Sequence, residues 1–154
     1  MANSETNSRP RLAWWLFVLA LASNLYLLGA ACVLLAVAYP LLGDVTLEQL
    51  PKIHAAMTGR LGVAFILPEM VAFVSVLPLF RWPLRGLSKT NVALCVFFGV
   101  LYFAVTFSSH LPAHKLLSLG DISAMPALLS SHALRTVVQL VKCGILVAMY
   151  PTRD

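Results

Sequence analysis

The sequence predicts an all-α protein: a four-transmembrane-helix bundle with a short amphipathic helix between spans three and four. Three observations carry this. Of 154 residues, 60% are apolar and only 11% are charged, whereas a soluble domain is roughly a quarter charged. So few charges cannot cover a water-facing surface, and lipid must be the solvent. Four apolar stretches are long enough, or nearly so, for the ~20 residues that cross ~30 Å of hydrocarbon. Alternating strand patterns are absent, and a helix satisfies every backbone amide within its own segment, as lipid requires.

The elements follow in order. The first eleven residues, MANSETNSRPR, are polar and read as a loose N-terminal segment. Span one, about 12–38, runs 27 residues without a charge. Ala36-Val37-Ala38 resembles a signal-cleavage site, but a signal h-region has only about 7–15 apolar residues. The stretch is therefore read as a retained span. TLEQLPKIHAAM, at 46–57, reads as a helical lead-in to span two, with Pro51 near its start. Span two, about 58–80, is broken after residue 60 only by Glu69. Span three, about 90–109, is uncharged from 91 to 107.

After it comes SSHLPAHKLLSLGD, at 108–121, whose PAHKLLSL portion reads as the amphipathic helix. Pro112 suits its first turn and Gly120 closes it. A helix restarting at Pro112 leaves His110 outside, so that His110 and His114 do not share a two-histidine helical face. Span four, about 131–150, holds Arg135 and Lys142, and 151–154 form a C-terminal tail. Residues 12–150 make a single domain, without repeat or low-complexity linker.

The net charge is +5, and most of the basic residues sit at span ends. Arg9 and Arg11 precede span one, and the 81–90 loop brings Arg81, Arg85 and Lys89 without an acid. The 39–60 connection sets Lys52 and Arg60 against Asp44 and Glu48, and the 110–130 connection has Lys115 with Asp121. By the positive-inside rule, this is a multi-pass cell-membrane protein with both termini cytoplasmic. Trp14, Trp15 and Trp82 read as interface anchors. No basic cluster with interleaved aromatics points to nucleic acid.

Ionisable groups inside a span cost ~3 kcal/mol or more and normally face the bundle interior. His132, Arg135, Gln139 and Lys142 fall at i, i+3, i+7 and i+10, one helical face. His54, Thr58, Phe65 and Glu69 lie broadly along one side of span two. At ~1.5 Å per residue, Glu69 and Gln139 lie about 16 Å from the inner ends of their spans, Lys142 about 12 Å and Arg135 about 22 Å. Glu69 is therefore level with the polar face of span four and pairs with Arg135 or Lys142. All four histidines, His54, His110, His114 and His132, arrive on the same side of the membrane. Tyr39, Tyr102 and Thr106 are placed to join them.

These residues support more than one chemistry. Imidazole is the commonest metal ligand, so His110, His114 and His132 are candidate ligands for a metal ion. No HExxH or ExxH pattern accompanies them, and the cofactor is either a metal ion or none. Two cations against one carboxylate leave excess positive charge, suited to an anionic ligand, an enolate or a phenolate. Glu69 and its cations also make sense as an ion pair that only fixes packing. Cys32, Cys95 and Cys143 lie in apolar segments without metal-like spacing and read as core residues. Phe97, Phe98, Phe103 and Phe107 read as packing. Phosphate-loop, serine-nucleophile and haem signatures are absent.

Three stretches, AYPLLGDV…LPKIHAAMTGRLGVAFILPEM, HLPAHKLLSLG and HALRTVVQLVKCGIL, resemble a group of small bacterial four-helix membrane proteins. That group is similar in turn to the anthrone-oxygenase-like family, and the resemblance covers about residues 36–148. Its features match Tyr39-Pro40 at the end of span one, and His54 and Arg60 opening span two. They also match Pro112 with His114 after span three, and Arg135-Thr136 with Lys142 in span four. Met57 stands where a second histidine is frequent, His132-Ala133 where Asn-Trp is, and Gln139 where a tryptophan is. The resemblance implies oxidation of a polycyclic phenolic carbon by dioxygen.

The combined expectation is an outward-facing polar pocket that binds a small lipophilic ligand, with oxidoreductase (oxygenase) chemistry as its extension. Glu69, Arg135, His114 and His54 would be catalytic, and Tyr39, Tyr102, Thr106, Gln139 and Lys142 would bind ligand. Arg135 or Lys142 would hold an anionic intermediate, and a histidine or Glu69 would move the proton. The partners are the lipid bilayer and the ligand, with a second copy of the chain or a partner membrane subunit as further candidates. The alternative is a non-enzymatic accessory or assembly subunit of a membrane complex.

Overall fold

The computed structural model describes residues 5–82, 84 and 87–150. The start of the polar N-terminal segment, Arg85 of the basic loop and the 151–154 tail lie outside the described residues, as does the side chain of Arg9. Four helical rods pack side by side, and no strand occurs among the described residues. Rod one joins α1 (Glu5–Val33), a π-helical segment (Leu34–Ala38) and α2 (Tyr39–Gly43). Rod two is α3 (Leu50–Val76) with a 3-10 turn (Leu77–Phe80). Rod three joins α4 (Lys89–Val105), a second π-helical segment (Thr106–His110) and α5 (Leu111–Ser118). Rod four is a 3-10 turn (Ile122–Ala124) followed by α6 (Met125–Ala148).

The backbone of 5–11, read as loose, is already helical. Stretches long and apolar enough to cross a membrane are Arg11–Gly43, Leu50–Phe80, Lys89–Ser118 and Ile122–Ala148. Each runs past its expected boundary at the same end of the bundle, the end that carries the histidines. Hydropathy stops at the polar residues there, but the helices continue because their buried faces stay apolar. Pro51 occupies the first turn of α3, as its fixed φ favours. Ser88 caps α4 by accepting from the Asn91 amide at 3.1 Å. Gly120, at φ +86°, closes α5: its amide bonds the Leu117 carbonyl while the Asp121 amide bonds that of Leu116.

Pro112 does not interrupt rod three. Inside an α-helix a proline ring collides with the carbonyl four residues back. Here the preceding amide, of Leu111, reaches five residues back to Thr106, which widens the turn. Rod one does the same: the Tyr39 amide, just before Pro40, bonds the Leu34 carbonyl. The helix therefore carries His110 and His114 onward together.

The bundle is apolar outside, with Val63, Leu67, Val100, Val137 and Leu140 exposed, and partly polar inside. Its interior is layered. At the histidine end Leu42, Leu50, Leu117 and Leu128 are buried together. One turn deeper lie Tyr39, His54, His114 and His132, with His110 beside them. Next come Arg135 and Tyr102, then Glu69, Lys142, Asn24 and Gln139. Phe17, Val76, Leu79, Cys95 and Leu146 form an apolar base near the chain termini.

Candidate functional site

A cavity of about 190 Å³ lies between α3 and rod three, below the histidine layer. Thr58, Gly62, Phe65 and Glu69 come from α3, and Tyr102, Phe103, Thr106, Phe107, His110 and His114 from rod three. His132 and Arg135 of α6, with Leu34 and Tyr39 of rod one, also line it. Both π-helical segments border it, the placement in which such segments are most often functional.

Arg135 is 7% exposed. Its Nη2 donates to the Tyr102 hydroxyl at 2.5 Å, and its guanidinium carbon stands 4.5 Å from that ring's centre. Its Nε has no hydrogen-bond partner, and no carboxylate lies within ion-pair distance, among the described residues. Glu69 belongs to Lys142, whose Nζ donates to Oε1 at 2.6 Å, so of the two expected pairings Lys142 is the one formed. Glu69 Oε2 is buried without a partner among the described residues.

Three imidazoles form a hydrogen-bonded chain. His54 Nε2 lies 2.8 Å from His114 Nδ1, His114 Nε2 lies 3.1 Å from His110 Nε2, and His110 Nδ1 lies 3.0 Å from Ser131 Oγ. Its direction follows from the far end. The Ser131 hydroxyl has one proton and sits 2.9 Å from the Leu128 carbonyl, which can only accept. Ser131 therefore accepts from His110 Nδ1–H, His110 Nε2 accepts from His114 Nε2–H, and His114 Nδ1 accepts from His54 Nε2–H. The chain ends on a bare lone pair at His54 Nδ1, buried with no partner among the described residues.

His132 is oriented separately. Its Nε2 faces the Ala31 carbonyl at 3.2 Å and must carry the proton. That leaves Nδ1 as an acceptor, 3.4 Å from the Tyr39 hydroxyl, a long contact for such a bond. Of the three imidazoles on the cavity wall, His132 thus presents the most weakly engaged lone pair.

The structure brings Glu69, Arg135, His114, Tyr39, Tyr102 and Thr106 onto one cavity. His54 stands behind His114, off the wall. Gln139 and Lys142, expected to bind ligand, face away: Gln139 donates to the Asn24 carbonyl (3.0 Å) and Oδ1 (2.7 Å), and Lys142 is taken by Glu69. His110, His114 and His132 do not converge as metal ligands. His114 turns different nitrogens to its two neighbours, and both nitrogens of His132 face protein oxygens. No group of His, Cys, Asp and Glu among the described residues is arranged to hold a metal ion.

The pocket is not open at the end of the bundle either, because the buried Leu42, Leu50, Leu117 and Leu128 layer covers it there. Sequence reasoning missed Asn24 and Ser131. Both are polar residues on apolar helices, the signal that revealed Glu69, but they are uncharged and so less conspicuous. Phe103 and Phe107, read as packing, line the cavity. Compared with known proteins, the chain matches no family model, no curated protein and no solved structure.

Proposed function

We propose that this multi-pass membrane protein binds a small lipophilic molecule with one acidic oxygen, and that Arg135 receives that oxygen. The observation that carries the reading is Arg135 itself: a buried cation on a cavity wall, lacking a carboxylate counter-ion among the described residues. Unpaired charge in such surroundings costs several kcal/mol, on the order of the ~3 kcal/mol of a charge at mid-bilayer or more. An anion arriving there offsets it. Glu69 and Lys142 neutralise each other and leave that positive charge uncompensated. The otherwise apolar wall suits a lipophilic body. The basic residues of the 81–90 loop support, by the positive-inside rule, a plasma-membrane protein with both termini cytoplasmic.

The resemblance to the anthrone-oxygenase-like group extends the reading to oxidation of the ligand. A methylene carbon between aromatic rings loses two hydrogens and becomes a carbonyl; dioxygen supplies that oxygen, and its second atom leaves as water. In this chain Nδ1 of His132 takes the first proton, and Arg135 with the Tyr102 hydroxyl holds the enolate oxygen. The competing reading, a non-enzymatic subunit, draws on the Lys142–Glu69 and Gln139–Asn24 contacts, which tie rods together.

Native mass spectrometry of protein taken from its own membrane separates the two. The wild type should carry a small acidic lipophile that Arg135→Gln loses and Arg135→Lys partly keeps. Wild type and Arg135→Gln carrying the same small molecule, or neither carrying one, would overturn the ligand-binding reading. A stoichiometric second protein in place of a small molecule would favour the subunit.

A further inference from the structure

The geometry points to access from the side. The cavity takes its ligand out of the bilayer through the seam between α3 and rod three, and the ligand is a single-chain amphiphile with an anionic head, a long-chain fatty acid being the simplest example. This rests on the ligand-binding reading above and not on its oxygenase extension, whose aromatic substrate a fatty acid would replace.

Both ends of the bundle are sealed. Toward the histidine end, Leu50, Leu117 and Leu128 have no exposed surface and Leu42 only 3%. Each lies about one helical turn beyond a residue of the histidine layer. Toward the termini, the Glu69–Lys142 and Asn24–Gln139 contacts and the apolar base close the interior.

The seam itself is pinned above and below the cavity. Above, the 2.8 Å contact of His54 Nε2 with His114 Nδ1 ties α3 to α5. Below, Phe73 lies against Gly99 so closely that a Cβ there would come within 2.7 Å of its ring. Between these points the cavity wall and the lipid-facing surface are the same residues. Ile66 (61% exposed) and Phe107 (65% exposed) line the cavity, with Met70 and Leu111 beside them, also exposed. A Cβ built on Gly62, also on the wall, meets no atom within 4 Å.

The occupant follows from charge and size. Arg135 and its unpartnered Nε ask for an anionic oxygen. A cavity of about 190 Å³ takes a head and the start of a chain. The rest of the chain runs out past Ile66 and Phe107 into lipid, its native solvent, so nothing apolar is exposed to water at any stage.

A fatty acid bearing a diazirine close to its carboxylate, on the part of the chain that the cavity holds, added to phosphatidylcholine vesicles holding the protein, tests this. Photolabel should fall on residues 61–70 and 103–111. Unlabelled fatty acid should compete for it, and its methyl ester should not. Gly62→Leu puts a better helix former into open space and blocks the wall, so specific labelling should drop by about tenfold or more. Gly59→Leu has equally open surroundings but lies off the wall, and should label as wild type. Unchanged labelling in Gly62→Leu overturns the lateral route. So does competed, Arg135-dependent label on Leu42, Leu117 or Leu128, although the ligand-binding reading survives that result. Label that neither Arg135→Gln nor the competitor alters defeats the ligand-binding reading itself.

Discussion

Every polar atom in the site has few neighbours to choose from, so single residues carry sharp consequences. The donor and acceptor sequence assigns His54, His114 and His132 to the Nε2–H tautomer and His110 alone to Nδ1–H. Nitrogen-15 solid-state NMR of histidine-labelled protein in bilayers should show that three-to-one pattern; four identical tautomers would refute it. Ser131→Ala should move the His110 resonances first, because its hydroxyl sets the direction of the chain. The ion pair behaves differently. Lys142→Met leaves Glu69 as an unpaired buried carboxylate and should cost about 3–5 kcal/mol of stability. Adding Glu69→Gln should restore most of the loss in thermal melts, since a buried pair contributes far less than either half alone takes away. Sequence alone made the burial of Glu69, Arg135 and Lys142 legible, because charge within an apolar span has nowhere else to go. It did not say which cation takes the carboxylate: Arg135 and Lys142 share one face, and only side-chain reach separates them.

Among the elements, the prolines deserve to be read together. Pro40 follows Tyr39, Pro68 precedes Glu69, and Pro112 lies between His110 and His114. Each sits next to a site residue on a continuous rod. Two are accommodated by π-helical turns, and these turns carry Leu34, Thr106, Phe107 and His110 to the cavity. The third, Pro68, lies inside α3 and cannot donate to the Ala64 carbonyl. Pro68→Ala supplies that missing bond and should raise stability by about 1–3 kcal/mol. The same change should weaken fatty-acid binding, as expected where a local rule is broken for function. A variant that gains stability and binds as wild type would show that Pro68 has no part in shaping the wall. The α3 lead-in through Pro51 and the close of α5 at Gly120 were readable because caps are local. The continuity of rod three through Pro112 was not, because a π turn depends on one backbone bond shifting by a residue and leaves no mark in composition.

For the whole molecule, the sequence shows four spans and a polar interior because lipid reverses the usual arrangement of apolar and polar residues. The way into that interior is hidden, since lipid-facing and cavity-lining residues are the same apolar types. Ile66 and Phe107 look no different from Val63 or Val100. The sealed ends and open seam make a prediction about reagents. In a Cys32→Ser background, Thr106→Cys puts a thiol on the cavity wall, and Lys115→Cys puts one at the exposed histidine end. A permanently charged, water-soluble thiol reagent should label Lys115→Cys from one side of the membrane and leave Thr106→Cys untouched from either. A neutral maleimide that dissolves in lipid should label both, and Gly62→Leu should protect Thr106→Cys from it. The charged reagent cannot cross the hydrocarbon that covers the seam, and the Leu50, Leu117 and Leu128 layer bars it from the histidine end. Equal rates for the charged reagent at the two thiols would place water in the cavity and return the pocket to the open mouth that the histidines first suggested.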